Sequence, residues 1–462
     1  MATVADAAPN LFVRINQELR ARSVLIVGAA LLVAVPWMFV TTSKVGEWHE
    51  CYLPAARLMR DGQSIAAHSS NFTYPPAMAL FTIPMTFESL AISRFVWSLV
   101  NVTAVFALFV SCWRLIGGQS LAKLPKTWSA VFLIALLLSA RWIVSPLQHL
   151  QFDAVIAGVL ALGCLAVACG RDLLGGALVG LAASMKVTPM LFLPYLVWRG
   201  RWKAAAGLIF VAVGVNFLPD LLYPQASGGS YCVDWYRKYL ATTLGGTTGS
   251  WHTAVHLNQS LAGFFNRMAG IWTTGSTQDL SIVKFDDSTQ SLVKLLNYGA
   301  AALLLGITLA VGRRPFRGPS DAADRRPTAG HRDSTDPLWA AEFGMLACLM
   351  ILLSPMSGKA HYIVLLLPTL VAVRCAIERP TFGTRLTIGI LLVTGLLCCK
   401  ELLGPKLGDE TLIWGLPTLY PLTLLVALWS LHARIRSDDA TRAQHGEPSA
   451  LLKSAPFARR AA

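Results

Sequence analysis

Charge is scarce in this chain. Asp, Glu, Lys and Arg make up 14% of its 462 residues against 54% hydrophobic, too little for the wetted surface of a soluble domain of this size. There is no Walker A lysine loop and no Gly-rich dinucleotide turn, which speaks against nucleotide-driven transport and cytoplasmic nucleotide-sugar chemistry. No Cys/His spacing suits a metal ion, so neither metal nor cofactor is expected. The absence of a repeat of fixed period argues against an inverted-repeat transporter. No short apolar segment with a small-residue cleavage site precedes the first apolar run, so no removable signal peptide is expected. Of the nine cysteines, Cys112, Cys164, Cys169, Cys348, Cys398 and Cys399 fall in apolar segments, where Cys behaves as a small hydrophobe. Cys51 and Cys232 map to external segments, where an oxidising compartment would let them pair or leave them free.

What the chain has in abundance is apolar length. Runs of roughly 16 to 22 residues match what a helix needs to cross a bilayer, and mean hydropathy is +0.53. The fold class is therefore an all-α polytopic membrane protein. Spans are expected at about 23–42, 93–113, 127–144, 150–170, 204–221, 291–312, 338–356, 361–377, 384–400 and 411–431, about ten in all. Between 173 and 198 an apolar stretch is broken by Lys186 and Pro189. Read as one span, it flips every later loop. Read as a re-entrant helix pair, it leaves them in place.

Cation counting decides between the two. Arg14, Arg20 and Arg22 precede the first span and put the N-terminus in the cytoplasm. With a re-entrant pair, Lys123 and Lys126, Arg171, the run from Arg199 to Lys203, the six arginines of 313–337, and Arg434 and Arg436 all lie inside. The net charge of +14 is thus a topology signal, and no nucleic-acid partner is implied. One transmembrane domain, 1–437, is expected, with external segments at 43–92 and 222–290. A flexible cytoplasmic loop at 313–337 and a disordered cytoplasmic tail at 438–462 complete the chain, both too polar to bury a core. The Gly/Thr/Ser-rich and aromatic 222–290 segment is too long for a plain connection and reads as a flap over the outer surface.

The candidate site residues cluster at that outer rim. Glu47 and Glu50 flank His49 just after the first apolar run, with Tyr52 following and Phe72-Thr73-Tyr74-Pro75-Pro76 further on. An acid placed where a membrane helix meets water is costly unless solvated or useful, and a solvated loop is the plain alternative. Lys186 sits where the re-entrant pair turns, a cation that cannot comfortably face lipid. Lys359 and His361 lie in a Ser-Pro turn between two spans, suited to a phosphate oxygen or, for the lysine, to snorkelling. The run Gln148 to Asp153, with Gln151 at its centre, and Asn258-Gln259-Ser260 add polar groups. Asp153 and Glu342, lone acids inside apolar segments, read as internal hydrogen-bond partners.

Taken in order, these features resemble glycosyltransferase family 87, the bacterial mannosyltransferases of GT-C fold that use a polyprenyl-phosphate sugar. The resemblance rests on Tyr52, Ala55 and Ala56 spaced to Gly62, then FTYPP at 72–76, Gln151, and Lys186 to Pro189. It continues through Asn258-Gln259-Ser260 and Ser354-Pro355 to His361-Tyr362 and Pro368. It implies a polyprenyl-phosphate sugar donor, a lipid or glycan acceptor, and transfer with inversion on the outer face of the bacterial inner membrane. It also implies a carboxylate base, donor-phosphate contacts from His361, Lys359 and Lys186, and substrate contacts from Tyr52, Tyr74, Gln151 and Asn258. The family's base is an Asp four residues before the tyrosine. Here that position is Trp48, so Glu47 or Glu50 must substitute, and a His-His pair is replaced by Ala360-His361. A transporter or lipid flippase, or a surface-glycan polymerase or ligase, are the competing readings.

Overall fold

The computed structural model describes residues 46–69, 71–118, 126–244, 255–278, 280, 283–312 and 337–444, and all regular structure among them is helical. The expected first span at 23–42, nearly all of the 313–337 loop and the tail beyond 444 lie outside the described residues. The body consists of α1 (Leu90–Leu115), α2 (Lys126–Gln148), α3 (Asp153–Ala168), α4 (Asp172–Met185), α5 (Trp202–Leu222) and α6 (Asp287–Val311). It continues with α7 (Pro337–Leu352), α8 (Leu366–Glu378), α9 (Phe382–Leu397), α10 (Lys400–Ile413) and α11 (Leu419–Gln444). Six helical stretches among the described residues are long and apolar enough to span a bilayer, seven if the bent α9–α10 pair counts as one. This is a multi-pass membrane protein.

The boundaries differ from the sequence reading at two places. Spans expected at 384–400 and 411–431 are separated by α10, which turns 87° away from α9. Its composition explains the turn. Lys400, Glu401, Lys406, Asp409 and Glu410 make it too polar to stay in lipid, and Gly404 (φ 75°) with Pro405 interrupts the helix. At the C-terminus α11 runs to Gln444, past the point where the polar tail was expected to begin.

Packing follows from side-chain size. α4 carries a Gly-Gly-Ala-Leu-Val-Gly stretch, and small residues let membrane helices approach closely. A Cβ on Gly176 would lie 1.9 Å from Ala204 O, and one on Gly180 2.4 Å from Leu208 O. Further along, Asn216 Nδ2 donates to Ser184 O at 3.3 Å. The paired positions rise together, so α4 and α5 run parallel, and the chain between them must double back. It does so through a break at Lys186, a 3-10 turn at Thr188–Leu191 and a short helix at Phe192–Trp198. Lys186 marks the tip of this hairpin, and Arg201 returns to Asp172 at its base, 3.3 Å away.

The same logic places the centre. Trp97 Nε1 donates to Leu150 O at 2.9 Å, and Gly158 lies against Ala104 O, so α1 and α3 are parallel with their N-terminal ends together. Most residues of the stretch Lys359–Glu378 are buried, whereas in α6 only Val293 and Leu304 are. The first is the middle of the bundle, and the second is an outer wall with its apolar side chains facing lipid. At one end of α7, Glu342 accepts from Tyr195 Oη, Arg199 and His432, the internal partnership its position suggested. The other end of α7 leads to the Ser354 turn and the site.

The segment read as a flap is docked. Its first part lies on the chain between residues 46 and 89 through Ala226 N to Gly62 O (2.9 Å), Tyr231 Oη to Met59 O (3.2 Å) and Trp235 Nε1 to Thr73 O (2.9 Å). Its second part binds the Ser354 turn. Gln259 N donates to Ser357 O at 2.6 Å, and buried Arg267 donates to the carbonyls of Val255, Asn258 and Ile413.

Candidate active site

The chain enters the described region on a tight approach. A Cβ on Gly46 would meet His149 O at 2.6 Å, so only glycine lets the loop pass this close to the end of α2. A helical segment then begins, and its first turn, Trp48–Tyr52, is a π-helical one in which Leu53 N–H bonds Trp48 O. Such widened turns recur at functional sites because they re-aim side chains. In an α-helix Tyr52 would face the residue four before it, Trp48. Here its hydroxyl donates to Glu47 Oε2, five residues back, at 2.7 Å. Trp48 is buried instead, stacked on Trp97 with ring centroids 4.5 Å apart. The widened turn thus brings Glu47, and not Trp48, to the Tyr52 hydroxyl.

Glu47 gathers three donors. Tyr74 Oη reaches Oε2 at 3.2 Å, and Gln151 Nε2 donates to Oε1. Burial first, and the Glu47 charge second, push both tyrosine hydroxyls well above their ordinary range, so they stay protonated and donate. Gln151 is aimed by backbone strain. Leu150 has φ 51°, a left-handed conformation that costs a β-carbon residue about 1–2 kcal/mol, and the Trp97 indole on its carbonyl holds it there. Strain of this kind collects where function demands a geometry.

Two residues beyond Gln151, Asp153 opens α3. It is 4% exposed, and Lys186 Nζ donates to its Oδ1 at 2.8 Å. His361 Nε2 stands 3.8 Å from the same oxygen. The Gly358 backbone N–H donates to His361 Nδ1 at 3.1 Å, which leaves Nε2 as the protonated nitrogen facing the acid. Asp153 Oδ2 accepts from no described residue. Asp153, Lys186, Thr188, Ser354, Ser357 and His361 line a cleft, and the Asp153 charge is felt by Tyr52 and Tyr74. A carboxylate framed by neutral donors therefore stands near a cleft that carries the Lys186 ammonium and the His361 N–H. The first arrangement can take a proton. The second can hold an anion.

The structure brings together Glu47, Tyr52, Tyr74, Gln151, Lys186 and His361. Three other candidates stand apart. Glu50 is exposed and has no side-chain bond among the described residues. Lys359 Nζ turns to Cys398 O at 2.8 Å, on the far side of its turn from the cleft. Asn258 is fully buried and spends its amide on the protein, donating to Pro355 O and accepting from Ser260 and Ser357. It ties the flap to the turn. Cys51 and Cys232 are both free thiols, the first bonded to Asn71 O, so of the two options for this pair the structure has the unpaired one. Asp153 is the internal hydrogen-bond partner its position suggested, and its partner is Lys186. The signal was present, since a cation at a hairpin tip needs a counter-charge and Asp153 opens the neighbouring apolar run.

The sequence pattern of glycosyltransferase family 87 matches residues 72–355. The chain is similar to a polyprenol-phosphate-mannose-dependent alpha-(1-2)-phosphatidylinositol pentamannoside mannosyltransferase of Mycolicibacterium smegmatis, 30% identical over 202 residues, 43% of this chain and 44% of that protein. The protein of the same name from Mycobacterium tuberculosis is 30% identical over 205 residues, 43% of each. The chain thus spans under half the length of these two relatives. A polyprenol-phosphate-mannose-dependent alpha-(1-2)-phosphatidylinositol mannoside mannosyltransferase of M. smegmatis is 24% identical over 409 residues, 84% of this chain and 82% of the relative. No solved structure matches. With well over half of its length inside the family pattern, the chain belongs to glycosyltransferase family 87.

Proposed function

We propose that the protein moves a hexose, mannose by analogy with its relatives, from a polyprenyl-phosphate donor to a hydroxyl of a lipid or glycan acceptor. The fold is read as GT-C-like, with about ten spans and the Lys186 hairpin as a re-entrant pair. Reaction takes place on the outer face of the bacterial cytoplasmic membrane, with both termini inside. The observation that carries this reading is Glu47, held by Tyr52, Tyr74 and Gln151, beside the cleft of Asp153, Lys186 and His361.

In this mechanism Glu47 takes the proton of the acceptor hydroxyl as its oxygen bonds the anomeric carbon. The bond from that carbon to the phosphate oxygen breaks on the opposite face, its electron pair leaves with the lipid phosphate, and configuration inverts. Lys186 and the His361 Nε2–H stabilise the negative charge that develops there. The three donors on Glu47 fix its oxygens, so that little reorganisation is needed during reaction.

The test is transfer from labelled polyprenyl-phosphate mannose in native membranes. Glu47→Gln should lower transfer by about 10²–10⁴-fold, the usual worth of a positioned base, at unchanged expression. Glu50→Gln should stay near wild type, and His361→Ala should fall between them. Full activity in Glu47→Gln would remove the base, and an inactive wild type with every lipid-linked sugar would favour the transporter reading.

A further inference from the structure

A second cleft opens where the flap meets the first external loop, and it differs in chemistry from the Lys186 cleft. Among its lining residues are Phe72, Tyr74, Trp235, Tyr239, Asp234 and Ser64, with one carboxylate and no cation. Its walls are fixed. The Trp235 indole donates to Thr73 O at 2.9 Å, and Lys238 of the flap bonds Ala66 O and Ser69 O. Asp234 is also set in place, with Ser64 Oγ and Gln225 Nε2 donating to Oδ2 at 3.3 and 3.1 Å. Its Oδ1 accepts from no described residue. Tyr74 joins the two regions, because its ring lines this cleft while its hydroxyl rests on Glu47.

We propose that this cleft binds the saccharide end of the acceptor. A sugar ring is a neutral polyol with an apolar C–H face and a rim of hydroxyls. Flat aromatic walls with one oriented polar group suit such a ligand, and a carboxylate accepting from a hydroxyl makes a strong, directional bond. A carboxylate with no cation among the lining residues disfavours a phosphate, whereas in the other cleft Lys186 offsets Asp153. Tyr74, which lines the cleft and bonds Glu47, links a bound sugar to the base. Trp235 and Asp234 thereby set acceptor specificity, an inference that rests on the transferase reading above.

The experiment uses the purified full chain in detergent, labelled polyprenyl-phosphate mannose as donor and octyl α-mannopyranoside as acceptor. Trp235→Ala and Asp234→Ala should each raise the acceptor KM by about tenfold, the order expected for losing one such contact. The donor KM should hold within about twofold, and Trp235→Phe should recover most of the loss. An unchanged acceptor KM, or donor and acceptor KM rising together, would overturn the cleft. A wild type that labels membrane lipids but never the mannoside would also overturn it. A wild type that transfers the label to nothing would sink the transferase reading itself.

Discussion

Asp153 and Glu342 are both almost fully buried acids, each faced by a basic side chain and a histidine, at opposite ends of one hairpin. Asp153 meets Lys186 at the tip and His361 beside it; Glu342 meets Arg199 at the base and His432 beside it. The difference is in what is left over. Glu342 has both oxygens taken, Oε1 by Arg199 and His432 and Oε2 by Tyr195. Asp153 keeps Oδ2 unpartnered and opens on a cleft. The cations differ too. The Arg199 fork suits a fixed carboxylate, whereas the Lys186 ammonium gives one donor to Asp153 and has two more to offer. Burial and ion pairing alone do not mark a site; unspent hydrogen-bonding capacity beside a cleft does.

Three substitutions test that contrast. Glu342→Ala leaves Arg199 charged and buried without its carboxylate, and should cost about 3–5 kcal/mol of stability. It is read as a lower melting temperature in detergent, with transfer per folded molecule retained; loss of transfer in a stably folded variant would erase the distinction. Gly176→Val puts a branched side chain against the Ala204 backbone and should cost about 1–3 kcal/mol. Because it pries the whole hairpin from α5, it should lower both melting temperature and transfer. An unaffected donor KM would show that the tip holds its place without α5. Asp153→Asn keeps the shape and removes the charge. Because Lys186 loses the ion pair that holds its ammonium at the cleft, the substitution should raise donor KM by about tenfold while leaving acceptor KM alone and stability less affected than in Glu342→Ala. The reverse ranking in stability would make Asp153 the structural acid and Glu342 the functional one.

Much of the site was legible in the residues. Glu47, Tyr52, Tyr74, Gln151, Lys186 and His361 all stood out as polar groups at the outer rim of an apolar chain. The break at the hairpin tip was legible as well, because Lys186 and Pro189 interrupt an apolar run. Lys359 and Asn258 were legible as polar residues but not as to their partners: one long side chain turned to Cys398 O, and one amide closed a turn 97 residues away. Periodicity does not report such choices. Nor does spacing show that Trp48–Tyr52 forms a π-helical turn, which depends on Trp48 finding Trp97 to stack upon.

The residues alone were enough to place this chain in a membrane and to locate its apolar runs. Those properties are sums over local composition, and the bilayer reads them segment by segment. The folded chain was needed to show that Glu47 and not Glu50 is framed by donors. It was needed as well for Asp153 holding Lys186 beside His361, and for Asp234 and Trp235 sharing a cleft with Tyr74. Each of these is a contact between residues far apart in the chain, set by helix register, by the small side chains that let α4 and α5 close up, and by a left-handed leucine that no composition reveals.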